Sequence, residues 1–132
     1  MPRTEEAEAW YSAVYQAVQE IPHGKVTSYG QIAALLGYPE RPRQVGMCLK
    51  YLPRATDQPD ATYNDATVPW QRVINAKGEI SNRGVNGAAR QEAALTQEGV
   101  EVGRGNLGER TVDFAVYGWF PDDLPSQVND NQ

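Results

Sequence analysis

Residues 28–52 read SYGQIAALLGYPERPRQVGMCLKYL, and this stretch limits the fold more than any other. Ser28 followed three residues later by Gln31 is the capping-box pattern, so a helix is expected from Tyr29 to Leu36. Gly37 suits the left-handed residue that closes such a helix, and Pro39 and Pro42 keep it from continuing. Another helix is expected from Arg43 to Leu52, with Val45, Leu49 and Leu52 on one side. Two short helices joined by a Gly/Pro turn form a helix-turn-helix candidate. The same pattern describes helical hairpins that never meet DNA, and pattern alone leaves both open.

Upstream, Trp10, Val14, Ala17 and Ile21 recur at spacings of four, three and four, with Val18 beside them. They mark one face of an amphipathic helix that Pro22-His23-Gly24 stops. Lys25-Val26-Thr27 is a short extended link. Residues 53–67 are polar, hold two prolines and lack periodicity, so an exposed loop is expected. Val73-Ile74, a turn over Asn75–Gly78 and then Glu79-Ile80-Ser81 read as a β-hairpin. Asn86 is placed to cap a last helix, Gly87 to Glu98, which Gly99 and Val100 end in a Schellman manner. Phe114, Tyr117, Trp119 and Phe120 are expected to pack back onto the domain, with a disordered tail after Pro121. These elements give a mainly α domain over residues 1–120, winged-helix-like with a small β-hairpin, and a tail over 121–132.

At 132 residues the chain can bury one modest core. No stretch approaches the roughly 20 consecutive apolar residues of a membrane span, and MPRTEEAEAW lacks the pattern of a signal peptide. A single cysteine, Cys48, excludes an intramolecular disulfide and a Cys-rich zinc site, and suits a reducing intracellular compartment. A single histidine, His23, leaves little for Cys-His or Ser-His-Asp chemistry. Neither a metal nor a cofactor is expected. The net charge of −5 is unevenly spread: residues 21–90 hold nine Lys/Arg against five Asp/Glu, while both flanking segments are acidic. Because charges more than about 8–10 Å apart are largely screened, a local basic face can bind phosphates whatever the total. An ordinary mixed surface would carry the same counts.

Three stretches go beyond pattern. IPHGKVTSYGQIAALLG (Ile21 to Gly37), RQVGMCLK (Arg43 to Lys50) and VPWQRVIN (Val68 to Asn75) resemble the DNA-binding half of the O6-alkylguanine-DNA alkyltransferases. The resemblance runs from about Trp10 to Val102. In that family the last motif is Pro-Cys-His-Arg; the cysteine takes the alkyl group and the histidine helps deprotonate it. Here Trp70 stands at the cysteine position and Gln71 at the histidine position. Alkyl transfer from an aryl ether oxygen needs a thiolate-like nucleophile. The indole N–H is only a donor, and an amide does not titrate and cannot act as a base. Glu98, which resembles the acid of the family's relay, has nothing to polarise. The pattern is similar to the alkyltransferase-like proteins, which carry Trp or Ala for the cysteine, bind alkylated guanine without repairing it, and pass the lesion to nucleotide excision repair. Most of those keep the histidine, so Gln71 is a departure.

The resemblance implies roles residue by residue. Tyr29 matches the tyrosine that pushes on the phosphate 3′ to the target, and Arg43 the finger that fills the gap left by the flipped base. Trp70 would wall the lesion pocket, Arg83 would lean over it, and Val73 and Ile74 would supply apolar lining and core. Gly46 and Met47 lie on the recognition helix, which in this family enters the minor groove. Lys25, Lys50 and Arg41 are candidate phosphate contacts, Arg72 is read as a structural anchor, and Cys48 as a small core residue. The expected function is non-enzymatic sensing of O6-alkylguanine in duplex DNA by base flipping. Partners are expected to be that DNA and nucleotide excision repair proteins, with no membrane. The protein is expected to be a monomer, in the nucleus if eukaryotic or with the nucleoid if bacterial. The alternatives are an enzyme, either a residual alkyltransferase using Cys48 or a glycosylase-type protein using Glu98, and a module devoted to protein contacts.

Overall fold

In the computed structural model, which describes residues 4–81 and 86–129, three helices pack around one apolar core. Helix α1 spans Glu5–Gln19, and the Thr4 hydroxyl caps it by accepting from the Ala7 N–H at 3.1 Å. Val14, Ala17, Val18 and Ile21 are buried, as their spacing predicts. Helix α2 spans Tyr29–Leu35, and the Ser28 hydroxyl accepts from the Gln31 N–H at 3.0 Å. Gln31 does not reach back to close the capping box; its side-chain amide donates to the Pro121 carbonyl at 2.6 Å instead. Gly37 ends α2 at φ +89°, with the Gly37 and Tyr38 N–H groups donating to the Ala34 and Ala33 carbonyls, the Schellman pattern. Pro42 then opens α3, Pro42–Lys50, a position where its missing N–H costs nothing. Helix α3 buries Val45, Cys48 and Leu49 and leaves Arg43, Gln44, Met47 and Lys50 facing outward. The helix-turn-helix expected from the sequence is therefore present, ending slightly earlier than Leu52.

The strand pairing departs from the sequence expectation. Val73-Ile74 forms strand β2, whose partner is not Glu79–Ser81 but β1, Thr27–Ser28, in parallel. Thr27 stands opposite Val73 and Ser28 opposite Ile74. The turn at Asn75 does form, with the Asn75 Oδ1 accepting from the Lys77 and Glu79 N–H groups. Glu79, however, bridges to Thr111. A Val-Ile pair buried on both faces is what a parallel strand requires, and its partner lies far away in sequence. Side chains alternate along β2, so Val73 enters the three-helix core while Ile74 enters a second cluster with Val26, Ile80, Leu95, Val100 and Val112.

Helix α4, Gly87–Gln97, covers that second cluster and ends at Gly99 in the expected Schellman geometry. Asn86 precedes it in a left-handed conformation, but its side chain makes no capping hydrogen bond, contrary to expectation. The β-hairpin of the domain is β3, Gly103–Arg104, against β4, Arg110–Thr111. A short helix α5, Phe114–Tyr117, leads to Gly118, which bridges Val26. Phe114, Tyr117 and Trp119 pack back as expected, and Phe120 lies edge-on to Phe114. The expectation of disorder after Pro121 is corrected for the described residues. Leu124 is buried in the helical core, α6 spans Pro125–Asn129, and the Ser126 N–H and hydroxyl both bond Glu20. The loop over 53–67 has neither helix nor strand, as expected, yet it is tied down. Asn64 is buried, accepting from the Ala66 and Thr67 N–H groups and donating to the Gln58 carbonyl.

A Cβ at Gly37 would meet nothing within 4 Å, so only the left-handed backbone argues for glycine there. Gly37→Ala is expected to cost about 1–2 kcal/mol, read as a lower urea midpoint with an unchanged slope.

Candidate nucleic-acid interface

The two-residue ladder determines what faces what. Tyr29 follows β1 directly and Trp70 precedes β2 by three residues, so pairing the strands sets both aromatics on one cleft. The cleft has a volume of ≈ 880 Å³. Tyr29 and Gly46 form one side; a Cβ on Gly46 would lie 3.8 Å from the Tyr29 ring, an ordinary contact. The Tyr29 hydroxyl lies 3.5 Å from the Ser81 hydroxyl, a long contact at best. Trp70 and Arg90 form the other side, with the Arg90 guanidinium 5.2 Å from the centre of the indole.

Trp70 begins a 3-10 turn, Trp70–Arg72, entered from Pro69. Gln91 of α4 holds this turn from behind: its Nε2 is fully buried and donates to the Gln71 and Val73 carbonyls, both at 3.0 Å. The side chain of Gln71 points to the same inner side, where its Nε2 donates to Glu98 at 2.6 Å. Glu98 also accepts from Arg72 Nε at 2.9 Å and from the Gly24 N–H at 2.8 Å, while Arg72 donates to the Ile21 carbonyl at 2.7 Å. Burial alone would raise the Glu98 carboxyl. The hydrogen bonds from Arg72, Gly24 and Gln71, with the Arg72 charge, outweigh it and hold the group below its ordinary range. Glu98 thus joins the turn after α1, the Trp70 turn and the end of α4. Its oxygens are occupied by structural donors, and Arg72 is the anchor that the sequence reading expected.

Among the described residues, four cations line the cleft, Arg43, Lys50, Arg54 and Arg90, against one carboxylate, Asp65. An acidic chain therefore carries a locally cationic concavity. Arg43 is exposed and makes no ion pair among the described residues, and Met47, 45 % exposed, stands on the same outer face of α3. Not every expected residue gathers there. Val73 is fully buried and does not line the cleft; with Ile74 it serves the core alone, because both sides of β2 are covered. Lys25 lies outside the cleft with its ammonium 3.4 Å from the Val116 carbonyl. Arg41 stacks on Tyr38 at 4.4 Å beside Trp10. Cys48 is fully buried in the helical core. Arg83 lies outside the described residues.

Residues 9–100 match the family described as the 6-O-methylguanine DNA methyltransferase DNA-binding domain. Alkyltransferase-like protein 1 of Schizosaccharomyces pombe is 42 % identical over 113 residues, spanning 85 % of this chain and 95 % of that protein. The chain belongs to the alkyltransferase-like proteins. The DNA base-flipping protein of Escherichia coli is 38 % identical over 117 residues, 89 % of this chain and 79 % of that one. The S. pombe protein solved in complex with damaged DNA containing O6-carboxymethylguanine superposes with a TM-score of 0.72, covering 91 % of this chain and all of that one.

Three residues of this alkyltransferase-like protein escaped sequence reasoning. Arg90 reaches Trp70 from the first turn of α4, Asp65 and Arg54 come from the 53–67 loop, and no motif or spacing marks them. Only the tertiary fold brings them to the cleft. Glu98→Ala would leave the Arg72 guanidinium, 15 % exposed, without its carboxylate. A loss of about 3 kcal/mol at neutral pH is expected. Because the folded carboxyl is lowered, its contribution is complete above the unfolded value of about 4.3 and lost as pH falls through the folded one. Urea titrations of wild type and Glu98→Ala should show a stability gap at pH 7 that narrows in acid.

Proposed function

We propose that the protein is a non-enzymatic DNA-damage sensor that binds O6-alkylguanine in duplex DNA by flipping the base into the Trp70 cleft. The observation that carries this reading is the occupant of the cleft wall. An indole stands where the alkyltransferases place their thiol, and the chain's single thiol, Cys48, is fully buried away from the cleft. An indole cannot take up an alkyl group as a thiolate does, but it offers a flat apolar face to a base. Gln71 cannot serve as a base, and Glu98 is committed to Arg72, Gln71 and Gly24.

The likeness to a protein solved on O6-carboxymethylguanine DNA and to a base-flipping protein supports the same reading. The cleft has room for a purine with its substituent. Arg43 and Met47 on the outer face of α3 are the candidates to enter the minor groove, and Tyr29 to press on the backbone. A protein that binds a lesion and leaves it chemically intact needs another to remove it. Transfer of the lesion to nucleotide excision repair follows as the downstream step, with this protein acting as a monomer on the DNA.

Fluorescence anisotropy should give tighter binding to an O6-methylguanine duplex than to the undamaged duplex, with the intact protein mass unchanged after incubation. Arg43→Ala and Tyr29→Ala should each weaken lesion binding about tenfold, and Arg43→Ala should leave Tm unaltered. A mass gain of one alkyl group would overturn the non-enzymatic reading. Unchanged affinity in both variants would overturn the flipping roles. Gly46→Ala separates fold from function, because the fold has room for the added methyl group. It should raise stability by up to about 1 kcal/mol while lowering affinity for lesion and undamaged DNA alike.

A further inference from the structure

Of the four cations that line the cleft among the described residues, two are held by one carboxylate. The Asp65 carboxylate lies 3.6 Å from an Arg90 guanidinium nitrogen and 3.9 Å from Arg54 Nε. Its Oδ1 also accepts from the Ala55 N–H at 2.8 Å, and the Asp65 N–H donates to the Pro53 carbonyl at 2.9 Å. The buried side chain of neighbouring Asn64 fixes the loop around it. Asp65 is therefore a built part of the cleft, positioned by the 53–67 loop and reaching α4. Arg90 in turn spans two groups, the Asp65 carboxylate and the Trp70 ring.

Resting on the lesion-binding reading above, we propose that Asp65 is a specificity-determining residue of the cleft. It acts as the resident counter-ion of Arg90 and Arg54, and so sets how strongly the pocket favours guanines whose O6 substituent carries a negative charge. A neutral alkyl group packs against Trp70 and leaves the Arg90–Asp65–Arg54 pairing undisturbed. A carboxylate-bearing group meets the same two guanidinium ions, which suit planar bidentate acceptors, and must compete with Asp65 for them. Both ion pairs are longer than close contacts and part-exposed, so the arginines can exchange one carboxylate for another at small cost. The cleft thus accepts both classes of lesion, and Asp65 tempers its preference for the anionic one.

The test compares Kd values for three otherwise identical duplexes, carrying O6-methylguanine, O6-carboxymethylguanine or guanine, at fixed salt. Asp65→Asn keeps an oxygen for the Ala55 N–H while removing the charge. It should raise the affinity ratio of carboxymethyl over methyl lesion about three- to fivefold, the scale of one part-exposed ion pair. Arg90→Gln should lower that ratio by a similar factor. Ratios unchanged in both variants, with the methyl preference intact, would overturn the assignment of Asp65. A wild-type protein that binds neither lesion better than guanine would instead overturn the lesion-binding reading itself. If Asp65→Asn lowers Tm, Arg90→Gln and Arg54→Gln, on side chains 43 % and 54 % exposed, carry the same ratio test.

Discussion

A parallel ladder two residues long, Thr27–Ser28 against Val73–Ile74, holds the helix-turn-helix half to the segment that carries Trp70. So short a ladder has no stability of its own. It persists because Val73 and Ile74 each enter a different core, and because buried polar groups fasten the segment on either side. Gln91 grips the carbonyls that flank Arg72, and Glu98 collects Arg72, Gln71 and the Gly24 N–H. Loosening any of these would let the Trp70 turn move relative to Tyr29, and the cleft between them would lose its shape.

The chemistry of the Trp70 turn follows from this arrangement. The Trp70 indole fills one wall of the cleft. Gln71 carries no titrating group and aims a donor at Glu98. Glu98 is thereby held as a structural hub. In a largely buried site, a carboxylate facing three donors is stable only while those donors remain, so the network constrains the residues that can follow Trp70.

Charge is organised on the same scale. The chain is acidic overall, but four of its cations gather where the helix-turn-helix, the 53–67 loop and α4 converge. Two of them, Arg43 and Lys50, sit on the outer face of α3, and two are held by Asp65. Charges more than about 8–10 Å apart are largely screened, so total charge says little about this concavity. The loop that looked like a polar connection in the sequence supplies Arg54 and, among the described residues, the one carboxylate of the cleft, Asp65.

Local signals settled the helices. Ser28 at the start of α2, Gly37 at its end and Gly99 after α4 act through neighbouring backbone groups as the sequence implies, while Gln31 turns away to Pro121 and Pro42 joins α3 as its first residue. The Trp70-Gln71 pair was equally legible, because both residues stand in a motif whose spacing is local. Pairing across long separations was not. Val73-Ile74 chose Thr27–Ser28 over a nearby hairpin, and Leu124 and Ser126 returned to the domain, because burial is decided by surfaces that meet only after folding. The same reason hid Arg90, Arg54 and Asp65. The sequence by itself determined that an indole and a non-titrating amide stand side by side in the Pro-Trp-Gln-Arg motif. The tertiary structure alone decided which charges surround that indole, since ion pairs and cation–π contacts depend on distance in space and not on distance along the chain.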